Sequence, residues 1–139
     1  MNNVRLSKIL KDYPVTVCAA DQLRVTRGRF VITNTDTSDG AGKHWVTFYF
    51  PERQPIEYFD SLGKDPEYYE VGFEQKLRHP YRRMMSPIQA NTSDTCGHYC
   101  IYYIAERFKG GTMEDVMSRF DVNRPDLNDD YVRRYVEEL

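Results

Sequence analysis

Hydrophobic and polar positions alternate along the chain in blocks of changing period. Residues 3–11 set apolar Val4, Ile9 and Leu10 among solvated Lys8 and Lys11, a short helix that Pro14 ends. Phe30-Val31-Ile32 is β-branched and aromatic and predicts a strand. Residues 35–43, TDTSDGAGK, are loop chemistry throughout. Residues 44–50, HWVTFYF, contain neither Gly nor Pro and predict a strong strand. A turn bracketed by Pro51 and Pro55 follows, and residues 56–60, IEYFD, return as the second arm of a β-hairpin. Residues 67–78 predict a helix interrupted at Gly72, and residues 84–88 a short strand with Pro87 at its edge or end. Residues 89–94 are polar loop. Residues 95–108 predict a helix with Gly97, Ile101, Ile104 and Phe108 on one face, stopped by Gly110-Gly111 in the manner of a left-handed cap. Two more helices are expected near residues 113–120 and 128–138. Helix, then strands, then helices is the order of an α+β fold, with helices packed on a small antiparallel or mixed sheet.

Composition narrows the function. The 139 residues show no repeat, low-complexity tract or linker, so one domain over 1–139 is expected. Nineteen Lys and Arg against 21 Asp and Glu leave a net charge of −2, unlike a protein built mainly to grip nucleic acid. A local basic patch remains compatible with that balance. No apolar run reaches the roughly 18–20 residues of a membrane span. The opening MNNVRLSKILKDYP has no apolar h-region and no small-residue cleavage site, so a protein that is not secreted is expected. Three Cys, an odd count without repeated metal-type spacing, argue for a reducing compartment over a disulfide scaffold. The 11 Tyr suit a small core filled by large side chains that keep a polar tip near water.

Candidate chemistry starts at Cys96. Ser93-Asp94-Thr95-Cys96-Gly97 puts this thiol at the opening of the most apolar helix, where Asp94 or Thr95 can cap. Helix-end N–H groups and the helix dipole stabilise a thiolate, the form competent as a nucleophile at neutral pH. Gly97 leaves room for a substrate backbone. A thiolate nucleophile needs a base. His98 lies on the opposite side of the helix, and His79 sits in the basic, surface-like run Lys76-Leu77-Arg78-His79. His44 opens the strong strand. With the hairpin turn centred between Glu52 and Arg53, His44 lies opposite Ser61 and beside Asp60; centred on Glu52, it lies directly opposite Asp60. In both registers the carboxylate can fix the imidazole tautomer. Gln89, in the loop leading to Cys96, can aim an amide N–H at an oxyanion together with the Cys96 main-chain N–H. Each residue also has an ordinary reading: Cys96 as a small buried hydrophobe, His44 and Asp60 as solvated strand ends, Gln89 as a loop amide. Cys18 and Cys100 take the buried reading outright.

The joint order His44-Trp45, then YFDSLG (58–63), then Gln89, then Cys96-Gly97 resembles the adenovirus-type cysteine endopeptidases, adenain and its relatives in Polinton-type virus-like transposons. The matching pieces are NTDTSDGAGKHW (34–45), YFDSLG and QANTSDTCGHYC (89–100). The wider clan includes the proteases of ubiquitin-like modifiers. The gap from Gln89 to Cys96 resembles the adenain branch, whereas Asp60 in YFDSLG resembles the modifier proteases.

The resemblance implies a papain-like fold of adenain type, with the nucleophile at the N-terminus of a central buried helix. It implies Cys96 as nucleophile, His44 as general base and then acid, Asp60 as orienting carboxylate, Gln89 and the Cys96 N–H as oxyanion hole, and Trp45 flanking the imidazole. It implies no metal and no organic cofactor. It further implies cleavage of viral capsid or core precursors at small-residue, Gly-containing bonds, by a catalytic domain acting as a monomer in the virion or in the host nucleus or cytoplasm. Adenain-type enzymes take a short activating peptide and DNA. The net charge gives DNA no global support, and Lys76, Arg78, Arg82 and Arg83 form the one local candidate patch. Two other expectations stay open: a protease of ubiquitin-like modifiers, and a non-catalytic interaction or metal-binding module in which Cys96, His98 and Cys100 bind zinc.

Overall fold

The computed structural model describes residues 1–40, 42–69, 72–73, 80–83 and 86–139. The elements are α1 (Asn3–Ile9), β1 (Val15–Cys18), β2 (Arg29–Asn34), β3 (Trp45–Phe50), β4 (Ile56–Phe59), β5 (Tyr81–Arg83), α2 (Cys96–Phe108), α3 (Met113–Ser118) and α4 (Pro125–Glu137), with 3₁₀ turns at Ala20–Gln22 and Pro66–Tyr68. The strands form a five-stranded sheet in the order β1-β2-β3-β4-β5. The two outer pairs are parallel and the two inner pairs antiparallel, so the α+β class holds and the sheet is mixed.

Period-two alternation sorts the strand residues between two apolar layers. Phe30, Ile32 and Phe59 face α2 and join Leu6, Leu10, Tyr99, Ile101 and Tyr103. Val31, Val46, Phe48, Phe50, Ile56 and Tyr58 fill the other face with Leu23 and Phe73. Strand β4 is buried along its whole length, because both of its faces are covered. In α1 the residues that anchor the helix are Leu6 and Leu10, while Val4 is 70% exposed.

Helix α2 departs from the expected single apolar face. Every residue from Cys96 to Ala105 except His98 is buried, so the helix is enclosed by the sheet on one side and by α3 and α4 on the other. Its tyrosines accommodate this by bonding outward: Tyr99 Oη donates to Asp129 Oδ1 at 2.7 Å. Phe108, expected on the buried face, is 55% exposed and packs edge-on against Tyr13. Gly110, at φ +105°, ends the helix in the left-handed conformation expected of it.

The hairpin register also differs. Pairs Thr47–Phe59, Phe48–Tyr58 and Tyr49–Glu57 centre the turn on Arg53, beyond both expected positions. Continued outward, this register sets Asp60 across from Val46, so His44 and Asp60 are diagonal neighbours rather than a facing pair. Diagonal side chains on one face remain within reach of each other when one is as long as His. A short edge strand lies at Tyr81–Arg83; of the strand expected over 84–88, residues 86–88 are not strand, and Met84 and Met85 fall outside the described residues. The expected helix over 67–78 also lies mostly outside them; its described start is the 3₁₀ turn that Pro66 opens. Strand β1 has no counterpart among the expected elements.

Candidate active site

The site lies where the end of β4, the start of β3 and the N-terminus of α2 converge. Asp60 follows β4, and the chain turns at once through Ser61-Leu62-Gly63. Gly63 has φ +69°, and a Cβ there would lie 2.7 Å from the main-chain N of Pro87. Only glycine fits this approach. The close packing lets Ser61 O accept from the main-chain N–H groups of Ile88 at 2.9 Å and Gln89 at 3.0 Å. Thus the segment after β4 carries two tasks in consecutive residues: Asp60 meets His44, and Ser61 meets Gln89.

His44 Nε2 bonds Asp60 Oδ1 at 2.6 Å, with both groups buried. The Asp60 carboxylate also accepts from Leu62 N at 3.0 Å, Lys64 N at 3.3 Å and the Tyr69 hydroxyl. The imidazole and the Cys96 side chain also act on each other's ionisation, and with Nε2 taken by Asp60 the ring nitrogen left to serve the sulfur is Nδ1. Burial works against the imidazolium, but the hydrogen bonds and negative charges of Asp60 and Cys96 outweigh it and raise His44 to about 9. For Cys96, burial opposes ionisation. The hydrogen bond and charge of His44, with the main-chain amides of Trp45 and Gly97, overcome it and draw the thiol below its ordinary range. Each group therefore favours the charged form of the other.

Cys96 is the first residue of α2, so its main-chain N–H has no partner within the helix. Neither expected cap operates. Thr95 occupies the cap position without capping, because its hydroxyl donates to Asp129 Oδ1 at 3.1 Å, and Asp94 projects into solvent toward Arg133. Gln89 is buried. Its Oε1 accepts from Ser61 Oγ at 2.6 Å and its Nε2 donates to Ser93 O at 3.0 Å. Ser93 O can only accept, which fixes the amide orientation and leaves the second Nε2 hydrogen uncommitted to either contact. Gln89 and Cys96 line one cleft of about 730 Å³, together with His44, Trp45, Asn34 and Met1.

Trp45 lines the cleft with His44 and Cys96, and Gly97 follows Cys96 in the first turn of α2. The Trp45 indole donates to Met1 O at 2.8 Å, and the ring stacked on His44 is Tyr69, with centroids 5.9 Å apart. The Trp45 main chain favours ionisation of Cys96. Met1 packs beside Gly97, its Cβ 3.2 Å from where a Cβ at position 97 would lie. Tyr69 had no signal in the sequence, since it lies in a turn remote from every motif. Cys18 reaches the same cleft, whereas Cys100 is fully buried, and burial pushes its thiol well above the ordinary range.

The zinc arrangement is not assembled. Burial and the positive charges of Arg5, the N-terminal amino group and Arg133 push the His98 ionisation downward. Among the described residues no group of three or more His, Cys, Asp or Glu could hold a metal ion. Of the basic patch, Arg82 pairs with Glu114 and Arg83 with Asp65, while Lys76, Arg78 and the neighbouring His79 lie outside the described residues. No helix among the described residues is long and apolar enough to cross a membrane.

No protein-family model matches the chain. Among curated proteins it is 32% identical over 114 residues to a SUMO-1 cysteine protease of African swine fever virus, covering 67% of this chain and 42% of the relative. It is 30% identical over 127 residues to a cysteine protease from another isolate of that virus, covering 76% and 44%. This chain is similar to viral cysteine proteases. It spans less than half the length of the curated relatives it matches. Among solved structures, the African swine fever virus protease is 27% identical, with a TM-score of 0.44 over 69% of this chain and 40% of that one. The central domain of a Legionella pneumophila protein is 14% identical, with a TM-score of 0.51 over 99% of this chain and 94% of that one, a likeness of fold alone.

Proposed function

We propose that residues 1–139 form a single cysteine protease domain with Cys96 as nucleophile, His44 as general acid and base, and Asp60 as the carboxylate that orients His44. The observation that carries this reading is the His44 imidazole held between Asp60 and Cys96 on the wall of an open cleft. The Cys96 thiolate attacks the scissile carbonyl carbon. A C–S bond forms and the π electrons move to oxygen, where the Gln89 amide and the Cys96 main-chain N–H meet the oxyanion. As the C–N bond breaks, the imidazolium gives its Nδ1 proton to the leaving amine. Neutral His44 then takes a proton from water, the oxygen attacks the thioester, and the thiolate departs as the acid is released. Every step uses groups of this chain, with no metal or organic cofactor.

The substrates on this reading are structural precursors of a virus or virus-like element, cut at Gly-containing bonds. Two things support it: the adenain-like order of motifs, and relatives that are viral proteases. The chain would act as a monomer in the virion or the infected cell, with a short activating peptide as its candidate partner. A second reading, a protease of ubiquitin-like modifiers, is favoured by Asp60 within YFDSLG and by relatives named for SUMO-1. The purified chain is tested on Gly-Gly-containing precursor peptides and on a modifier fusion. Cleavage of the peptides, lost in Cys96→Ala, is expected. Much faster cleavage of the fusion would replace the first reading by the second, and thiol-independent cleavage would overturn both.

A further inference from the structure

We infer that Tyr69 is a positioning residue of this site: it anchors the second oxygen of the Asp60 carboxylate from outside the Asp60 turn, so that Oδ1 alone is presented to His44. The inference rests on the protease reading of the preceding section. Among the described residues, four donors reach the carboxylate. His44 Nε2 and Leu62 N hold Oδ1, and Lys64 N and the Tyr69 hydroxyl hold Oδ2. The two main-chain donors belong to the turn that begins at Asp60 and move with it. Tyr69 does not. It follows the 3₁₀ turn Pro66–Tyr68, bonded back to Pro66 O at 3.3 Å, and its ring is braced edge-on by Tyr68 at 5.2 Å and by Phe73 at 6.3 Å. The hydroxyl therefore ties the carboxylate to a separate packed unit.

The same ring lies against the imidazole, its plane tilted by 28° and its centroid 5.9 Å away. One side chain thus fixes both members of the His44–Asp60 pair, through its hydroxyl and through its face. A neutral donor suits the task, because it satisfies Oδ2 without placing a positive charge in competition with the imidazolium. Burial pushes the Tyr69 ionisation far upward, so the hydroxyl stays a donor across the working range. The charged or titratable groups that bear on His44 are Asp60, from the end of β4, and Cys96, from α2. Tyr58 on β4 and Cys100 on α2 feel the Asp60 charge from further out.

Tyr69→Phe keeps the ring and removes only the anchor. The carboxylate then turns more freely, and more of its charge falls on the oxygen facing Nε2. Expected is a fall in kcat of about tenfold at unchanged KM, the size a charge-assisted hydrogen bond supplies. The basic limb of the pH profile should move upward as the imidazolium gains stability. A wild-type kcat with an unmoved limb would overturn the inference. So would a loss of kcat that only follows a loss of folded protein. Should the wild-type chain cleave no peptide, the protease reading fails by itself. Tyr69 is then judged by the pH profile of Cys96 alkylation: an upper step displaced in Tyr69→Phe supports its positioning role, and coincident profiles overturn it.

Discussion

Strand β4 and helix α2 are bridged by buried charge twice, and the two bridges differ. At one end Glu57 meets Arg107, with Arg107 Nε donating to Glu57 Oε1 at 2.9 Å and the Tyr103 hydroxyl donating to the same carboxylate. Arg107 also donates to Gly111 O at 2.7 Å and lies over the Tyr49 ring. Both charges are enclosed, and every contact is internal to the fold. At the other end the helix start and the strand end bring Cys96 and Asp60 to His44, again buried, but there a cleft reaches the Cys96 thiol and the amide of Gln89. The first bridge has its partners saturated and fixes how strand and helix sit. The second leaves the Cys96 thiol and the Gln89 amide on the wall of an open cleft, where the proposed nucleophile and oxyanion donor need to be. Buried charge alone does not mark a functional site. Buried charge with an unfilled coordination direction does.

This contrast separates activity from stability. The largest effect is expected from Cys96→Ala: a loss of roughly 10⁴-fold or more in kcat/KM, with little change in melting temperature. A melting temperature that fell steeply would blur the two regions. Next, Arg107→Met leaves Glu57 buried without its cation and should cost about 3–5 kcal/mol in chemical denaturation. The folded fraction should keep its kcat, and a kcat loss beyond the unfolded fraction would show that the two bridges are coupled. Gln89→Ala should lower kcat by roughly 10²–10³-fold, the size of one oxyanion donor, while KM changes little. A change confined to KM would move Gln89 from the oxyanion to substrate binding.

Much of this arrangement was readable along the chain. Cys96 at a helix start, His44 at the mouth of a Gly- and Pro-free strand and Asp60 at the end of its partner are local signals, and local signals survive folding. The diagonal His44–Asp60 contact shows why register was harder. The proline-bracketed turn has several compatible centres, and only the packing of Phe48 and Tyr58 into one layer selects among them. Strand β1 pairs in parallel with β2, an arrangement that leaves no turn signature next to it. Helix α2 carries Tyr99 and Tyr103, whose buried hydroxyls are satisfied by remote segments: Tyr99 by Asp129 and the Ile88 carbonyl, Tyr103 by Glu57. Its all-round burial therefore leaves no simple periodicity. Tyr69 belongs to the same class, because its role exists only once the Asp60 turn folds against it.

The central claim is that Cys96 and His44 form a thiolate–imidazolium pair. Its direct measurement is the pH dependence of Cys96 alkylation by iodoacetamide, followed by mass on the Cys96 peptide in the wild type and in His44→Ala. The imidazolium persists until pH rises through about 9, and the thiolate persists until pH falls through the depressed Cys96 value. The account therefore predicts rapid alkylation well below the free-thiol value of about 8.5, and loss of that low-pH reactivity in His44→Ala. A single ordinary thiol titration near that free value of about 8.5, unchanged by the substitution, would contradict it.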